Sequence, residues 1–305
     1  MILEENEMKI EAMEEELLSL DPQCEEYQIK KANLKRFKEE TFSNLSPWDR
    51  VCIARSDKRI KAKTLISHLI TEFYELHGDQ YYSDDASIIS GIGYLGKYPV
   101  TILAQAKGSD TNEKIKRNFG MTSPEGFRKT LRLAKEAEKF HRPIITFVDT
   151  SGAYPGKGAE ERGQARAIAE NLMEFSKLKT PVISVILSEG GSGGALALTV
   201  SDYIFMFENA VYSVLSPEGF SSILFKGKIK PEEAVNYMKM TSSDLKEYTI
   251  VDEVIKEPLG GLRYLSLDYS NMLKEMLIKK IEELSNLDEE TLLNNRYEKF
   301  RKIGR

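Results

Sequence analysis

The residues best placed to do chemistry are Ser188-Glu189-Gly190-Gly191-Ser192-Gly193-Gly194. They follow Val182–Leu187, a short apolar run rich in β-branched residues that reads as a buried strand. Ala195–Val200 follows, and reads as the start of a helix of small and apolar residues, buried all round. A strand that turns through glycines into a helix leaves the first helical N–H groups without partners. The helix dipole favours negative charge in front of them, and glycines let a reacting group come close. The stretch therefore reads as an oxyanion hole with backbone donors.

The same residues also fit G-x-S-x-G, the pattern that places a nucleophilic serine on a strand-to-helix turn. That would make Ser192 a hydrolase nucleophile in need of a histidine and a carboxylate. The chain has three histidines, His68, His77 and His141, and none follows the serine. A third reading is a non-catalytic scaffold subunit whose glycines serve tight packing.

A second strand–glycine–helix unit precedes the first. Pro143–Val148 reads as a buried strand, Asp149–Gly158 as its loop, and Ala159–Lys179 as its helix. Both loops then lie at one edge of a parallel sheet, where α/β proteins place their sites. Lys157 is followed by Gly158 rather than Ser or Thr, which excludes a P-loop. Gly91-Ile92-Gly93-Tyr94-Leu95-Gly96 matches the dinucleotide fingerprint, but Pro99 and a strand follow where a helix is required. Lys107–Met121 is polar and basic, and fits either a solvated loop or a cradle for an anionic ligand.

These loops need a large scaffold, and 305 residues suffice to bury one. The content is 41% hydrophobic and 30% charged, as in ordinary globular proteins. A net charge of −5 argues against broad nucleic-acid binding. Two cysteines and three histidines offer no disulfide framework or zinc site. The acidic start of the chain does not read as a signal peptide, no apolar run reaches membrane-spanning length, and the expected compartment is the cytoplasm.

Residues 1–42 read as helical with a break at Asp21-Pro22, giving an arm over 1–44 ahead of a main domain over 45–305. The arm fits packing on its own domain or a hairpin for subunit contact. Ser46-Pro47 starts a helix. Lys63–Leu76 is predicted as one helix ending at Gly78, and Ile88–Tyr94 and Val100–Gln105 as strands. Ser123-Pro124, Ser216-Pro217 and Lys230-Pro231 open further helices, and Tyr203–Phe207 and Ala210–Val214 are further strands. From Tyr264 the chain reads as helical, with a break at Asn286–Asp288 and a basic, exposed tail over Arg296–Arg305.

Several long motifs carry a resemblance. ITFVDTSGAYPGKGAEERGQ (Ile145–Gln164), SEGGSGGALAL (Ser188–Leu198), YSVLSPEGFSSILFK (Tyr212–Lys226), NEKIKRNFGM (Asn112–Met121), PEGFRKTLRLAKEAEKF (Pro124–Phe140) and EPLGG (Glu257–Gly261) are similar to the α-subunit family of bacterial acetyl-CoA carboxylase carboxyltransferases. The similarity runs over nearly the whole chain. It implies an α/β crotonase-type (ClpP/crotonase) fold of repeated β-β-α units, here with an N-terminal helical arm and C-terminal helices.

The resemblance also implies a reaction. Carboxyl passes from carboxybiotin, on a biotin carboxyl carrier protein, to acetyl-CoA, and malonyl-CoA enters fatty acid synthesis. It implies a β subunit in an α2β2 assembly, with zinc on that subunit only, and biotin carboxylase, the ATP-using component, in the holo-complex. The Gly193 and Gly194 N–H groups match the donors to the biotin ureido oxygen. Gly152, Ala153, Tyr154, Lys157, Gly191 and Ser192 match the substrate-binding wall, with Lys116 and Arg117 as basic candidates. On this reading Gly194→Val crowds the approach of biotin, strains the turn and abolishes transfer while leaving the assembly intact.

The chain departs from the family pattern in places. Gly-His-Gln-Lys-Gly is replaced by Ala104-Gln105-Ala106-Lys107-Gly108, and the proline of Asp-Thr-Pro-Gly by Ser151. Phe220, Ser221 and Phe225 stand for Cys, Ala and Trp, Ser56-Asp57 for His-Pro, and Leu262-Arg263 where a histidine is usual. The glycine pair is unchanged.

Overall fold

The computed structural model describes residues 2–304. Its centre is the pair of apolar runs. β4 (Ile144–Thr150) is buried at every residue, and β5 (Val182–Gly191) at all but Glu189 and Gly191. Around them lie β1 (Thr71–Glu75), β2 (Ile88–Leu95), β3 (Tyr98–Gln105), β6 (Tyr203–Phe207), β7 (Val211–Ser213) and β8 (Glu253–Ile255). The sheet runs β1-β2-β3-β4-β5-β6-β8, with β7 beside the end of β5. β1, β2 and β3 are antiparallel, and from β3 onward the pairs are parallel. Parallel strands covered on both faces carry unbroken apolar runs, which is why β4 and β5 stood out in the sequence.

β5 is longer than its apolar run. Ile183–Ile186 pairs with β6, then Glu189–Gly191 pairs with β7, so the strand continues through the first two glycines. Backbone pairing with β7 carries that extension, and the apolar pattern does not report it.

The helices are α1 (Ile2–Leu18), α2 (Glu25–Phe42), α3 (Pro47–Arg55), α4 (Ala62–Leu69), α5 (Thr111–Lys116), α6 (Pro124–Lys139), α7 (Lys157–Glu161), α8 (Gln164–Phe175), α9 (Ser192–Leu196), α10 (Pro217–Phe225), α11 (Pro231–Met238), α12 (Ser242–Glu247), α13 (Leu267–Ser285) and α14 (Glu289–Lys302). Many starts are capped as their sequences suggest. Ser46 and Asp49 form a capping box on α3, and Ser216 and Asp288 cap α10 and α14. No helix among the described residues is long and apolar enough to cross a membrane.

Four expectations are corrected. Lys63–Leu76 is not one helix: α4 stops at Leu69 and β1 follows, because Thr71–Glu75 can pair antiparallel with β2. Gly91 and Gly93 permit that pairing, since a Cβ on either would meet Tyr74 O at 2.2 Å or Ile70 Cγ2 at 2.5 Å. The fingerprint-like glycines thus serve strand packing. Lys107–Met121 is not all loop: Asp110 caps α5, and a short 3-10 turn spans Asn118–Gly120. The helix expected over Ala159–Lys179 is two, α7 and α8, divided at Gly163 with φ 84°.

The tail is the fourth. Arg296 is fully buried and bidentate on Asp202, at 2.8 and 2.7 Å. It also donates to the carbonyls of Phe175, Leu178 and Thr180, which ties α14 to the ends of α8 and the start of β5. The N-terminal arm is a helical hairpin that packs on its own chain. Lys30 and Lys38 of α2 pair with Glu16 and Glu14 of α1, and Arg263 pairs with Glu7 and Glu11.

Candidate active site

β4 and β5 are parallel neighbours, so their loops leave the same edge, and Thr150 sits opposite Gly190. The two glycine loops interlock. A Cβ on Gly191 would stand 2.1 Å from Ser151 O, and one on Gly190 2.7 Å from the Tyr212 ring. A Cβ on Gly194 would stand 2.5 Å from Ala153 N and 2.6 Å from Gly152 C. Gly193 differs, because its first neighbour would be Ile168 at 3.6 Å, an ordinary contact. So Gly190, Gly191 and Gly194 are required by packing, and Gly193 has room for a small side chain beside Ile168.

The strained backbone of the turn is at Ser192, with φ 53°, and not at Gly194. The reason given for Gly194→Val is thereby corrected: the clash is with the Gly152–Ala153 backbone. Ser192 is exposed, Gly193 half-buried and Gly194 buried. The N–H groups of Ser192, Gly193 and Gly194 begin α9 and face no intrahelical acceptor. Carbonyls within α9 and just after it are held by side chains from three strands. Gln105 Nε2 donates to Gly194 O at 2.8 Å, while Thr146 and Ser184 donate to Leu198 O at 2.7 and 2.9 Å.

The second loop is braced too. Tyr154 N donates to Thr122 O, and Gln164 Nε2 reaches both Thr122 O and Tyr154 O at 2.9 Å. Gly152, Ala153, Gly191, Ser192, Gly193 and Gly194 therefore share one place, with Tyr154 beside them. Lys157 does not join them: its side chain is 90% exposed and lies 3.5 Å from Glu161 on α7. Lys116 is exposed on α5, and Arg117 is committed inward, donating to Ala86 O at 2.7 Å.

Reasoning from the sequence missed a chain of charges beneath the turn. Glu189 accepts from Arg55 Nε at 2.9 Å and Lys107 Nζ at 2.8 Å. Lys107 also lies 3.2 Å from Asp149, and Arg55 reaches Glu218 at 2.8 Å. Burial works to raise the Glu189 carboxyl, but Lys107 and Arg55 override it and hold it below the ordinary value. Burial likewise works to lower Lys107, and Asp149 and Glu189 override it and raise it. Lys61, packed nearby with only Ser56 O at 3.2 Å, is lowered by burial. A charge just beyond a largely apolar run, at Glu189, was the available signal. The partners lie 134 and 82 residues away in sequence, beyond the reach of any spacing rule.

The serine-hydrolase reading fails on position. His141 precedes β4, at the sheet edge opposite the glycine loops. His68 bonds Thr64 O on α4, and His77 pairs with Asp84. Ser192 thus has the strained turn of a nucleophile but no histidine base.

The model of the family described as acetyl co-enzyme A carboxylase carboxyltransferase-like matches residues 2–304. The chain belongs to that family. It is 50% identical over 280 residues to the acetyl-coenzyme A carboxylase carboxyl transferase subunit alpha of Bacillus cytotoxicus, covering 92% of this chain and 86% of that one. Among solved structures it is similar to transcarboxylase 12S, with a TM-score of 0.59 and 18% identity over 75% of this chain and 44% of that chain. A Pseudomonas malonate decarboxylase hetero-tetramer in complex with coenzyme A gives a TM-score of 0.58 at 16% identity, over 70% of this chain and 85% of that one. At this identity the structural likeness shows the fold, which is the crotonase-type architecture expected from the resemblance.

Proposed function

We propose that this chain is the α half of a split carboxyltransferase that moves carboxyl from carboxybiotin to acetyl-CoA, giving malonyl-CoA for fatty acid synthesis. The observation that carries the reading is the interlocked turn at Gly191–Gly194, in a chain of this family. Carboxybiotin, held on its carrier protein, supplies the carboxyl group and, once that has left, the nitrogen that takes the acetyl-CoA methyl proton.

The chain's own part is electrostatic. As carboxyl leaves the ureido nitrogen, negative charge grows on the ureido oxygen. The Gly193 and Gly194 N–H groups are the donors to it, each contributing about 3–4 kcal/mol if they act like oxyanion-hole donors elsewhere. Their stabilisation needs no reorganisation, because the backbone of Gly152–Ala153 already fixes α9 in place. Gly193 is half-buried, and the Ile168 side chain beside it leaves more room than the backbone packed on Gly194. Ala153 and Tyr154 form the wall beside it, and Ser192 is there for its small size. Donors to the acetyl-CoA enolate belong to a β subunit, which also carries the zinc, in an α2β2 assembly served by biotin carboxylase.

The test is malonyl-CoA formation by this chain with a cognate β subunit and carboxylated carrier protein, against each chain alone. Activity only in the mixture supports the split site. A stable but inactive mixture would overturn it in favour of a scaffold role.

A further inference from the structure

Gln105 is the last residue of β3, fully buried, and its amide Nε2 lies 2.8 Å from Gly194 O. α9 is a single turn, so its final carbonyls have no intrahelical donor. Leu198 N, the natural candidate for Gly194 O, goes to Ala195 O instead at 3.0 Å. The Gly194 carbonyl is therefore left to a side chain. Only the NH2 end of an amide can donate to it, which fixes the orientation of Gln105. Gln105 Oε1, on the other end, is buried with no partner among the described residues. The arrangement keeps the bond to Gly194 at the cost of an orphaned acceptor.

We infer that Gln105 is a positioning residue for carboxyl transfer. It holds the Gly194 carbonyl while the Gly152–Ala153 backbone packs against the Gly194 Cα. Between them the first turn of α9, and with it the Gly193 and Gly194 N–H groups, has one attitude. This rests on the oxyanion reading of that turn. The position is also one of the chain's departures from the family pattern, which has histidine there. The donor to Gly194 O is thus an amide that does not titrate.

The test uses the reconstituted mixture with two variants. Gln105→Leu keeps the volume and removes the donor; kcat is expected to fall about tenfold, the size of one lost buried hydrogen bond, with KM for acetyl-CoA within about twofold. Gln105→Glu is isosteric. Its carboxylate repels Gly194 O, and its protonated acid can donate to it. Relative to wild type its kcat is expected to climb as pH is lowered through the pKa of the new acid. A residue that merely filled space would give no such pH-dependent recovery. Wild-type kcat in an assembled Gln105→Leu enzyme, or a Gln105→Glu profile parallel to wild type, would overturn the inference while leaving the oxyanion reading intact. If Gln105→Leu does not assemble, the Gln105→Glu profile decides. An inactive wild-type mixture would remove the reading underneath, and this inference with it.

Discussion

Gly194 packs directly on Gly152: a Cβ on Gly194 would stand 2.6 Å from the Gly152 carbonyl carbon, with Ala153 N at 2.5 Å. Both neighbours are backbone, so no rotamer change relieves the contact. Gly193, one residue earlier, has no such neighbour.

The two glycines should therefore separate in experiment. Gly194→Ala is expected to destabilise the chain by about 1–3 kcal/mol through overpacking and to displace α9, with transfer lost. Gly193→Ala should leave the melting temperature within a degree or two and lower transfer by crowding the room beside Ile168. Thermal unfolding of each variant, with malonyl-CoA formation beside it, checks this. Equal melting temperatures for Gly194→Ala and wild type would contradict the packing.

Ser192→Ala should retain transfer, since Ser192 has no histidine partner among the described residues and the proposed transfer asks for no protein nucleophile. The positive φ favours a residue with little side chain, so stability should change by less than about 1 kcal/mol. Loss of transfer without loss of folding would bring a chemical role for the hydroxyl back into question.

Glu257 is the centre of a buried network. It accepts from Arg59 at 2.6 and 2.8 Å, from Asn209 N and Nδ2 at 3.0 and 3.1 Å, and from Leu262 N at 3.1 Å. Burial works to raise its carboxyl, and Arg59 and Asn209 override it and hold it low. Asp84 is lowered to about 2, against burial, by Lys129 and Gly78 N. Groups depressed in the fold stabilise it fully above their unfolded pKa values, near 4. That stability is lost as pH falls through their folded values. Denaturant unfolding should therefore give a plateau from neutral pH down to about 5 and a decline below it. Glu257→Gln should cost about 3–5 kcal/mol at pH 7, by leaving Arg59 buried without its charge partner, and should flatten the acid decline.

Arg296 ties the C-terminal helix to the core through Asp202 and three carbonyls. Arg296→Leu strands Asp202 and those carbonyls together, and a loss of about 3–5 kcal/mol is expected. Hydrogen exchange should show α14 opening first, with β4 and β5 protected as in wild type. Wild-type protection across α14 would refute the anchoring.

Much of the site was legible because local chemistry sufficed. The apolar β-branched runs marked β4 and β5, and the glycines after them marked sharp turns. Paired strand–glycine units implied a common edge, and proline and serine marked the helix starts. Charge and length patterns failed where pairing decided. Thr71–Glu75 became a strand because β2 lay free beside it, and the basic tail was buried because Asp202 waited for Arg296.

The sequence by itself determined the family and the fold class, through motifs spread along the chain, and it marked the glycine turn after β5 through residue types within a few positions of one another. Only the tertiary structure decided which glycines are obligatory, where the turn is strained, and that Gln105 bonds Gly194 while Lys107 and Arg55 pair with Glu189. The side-chain pairings join segments 80 residues or more apart, and the glycine contacts join two separate loops. A buried donor or charge finds its partner through the packing of the sheet, and nothing in local composition records which partner that is.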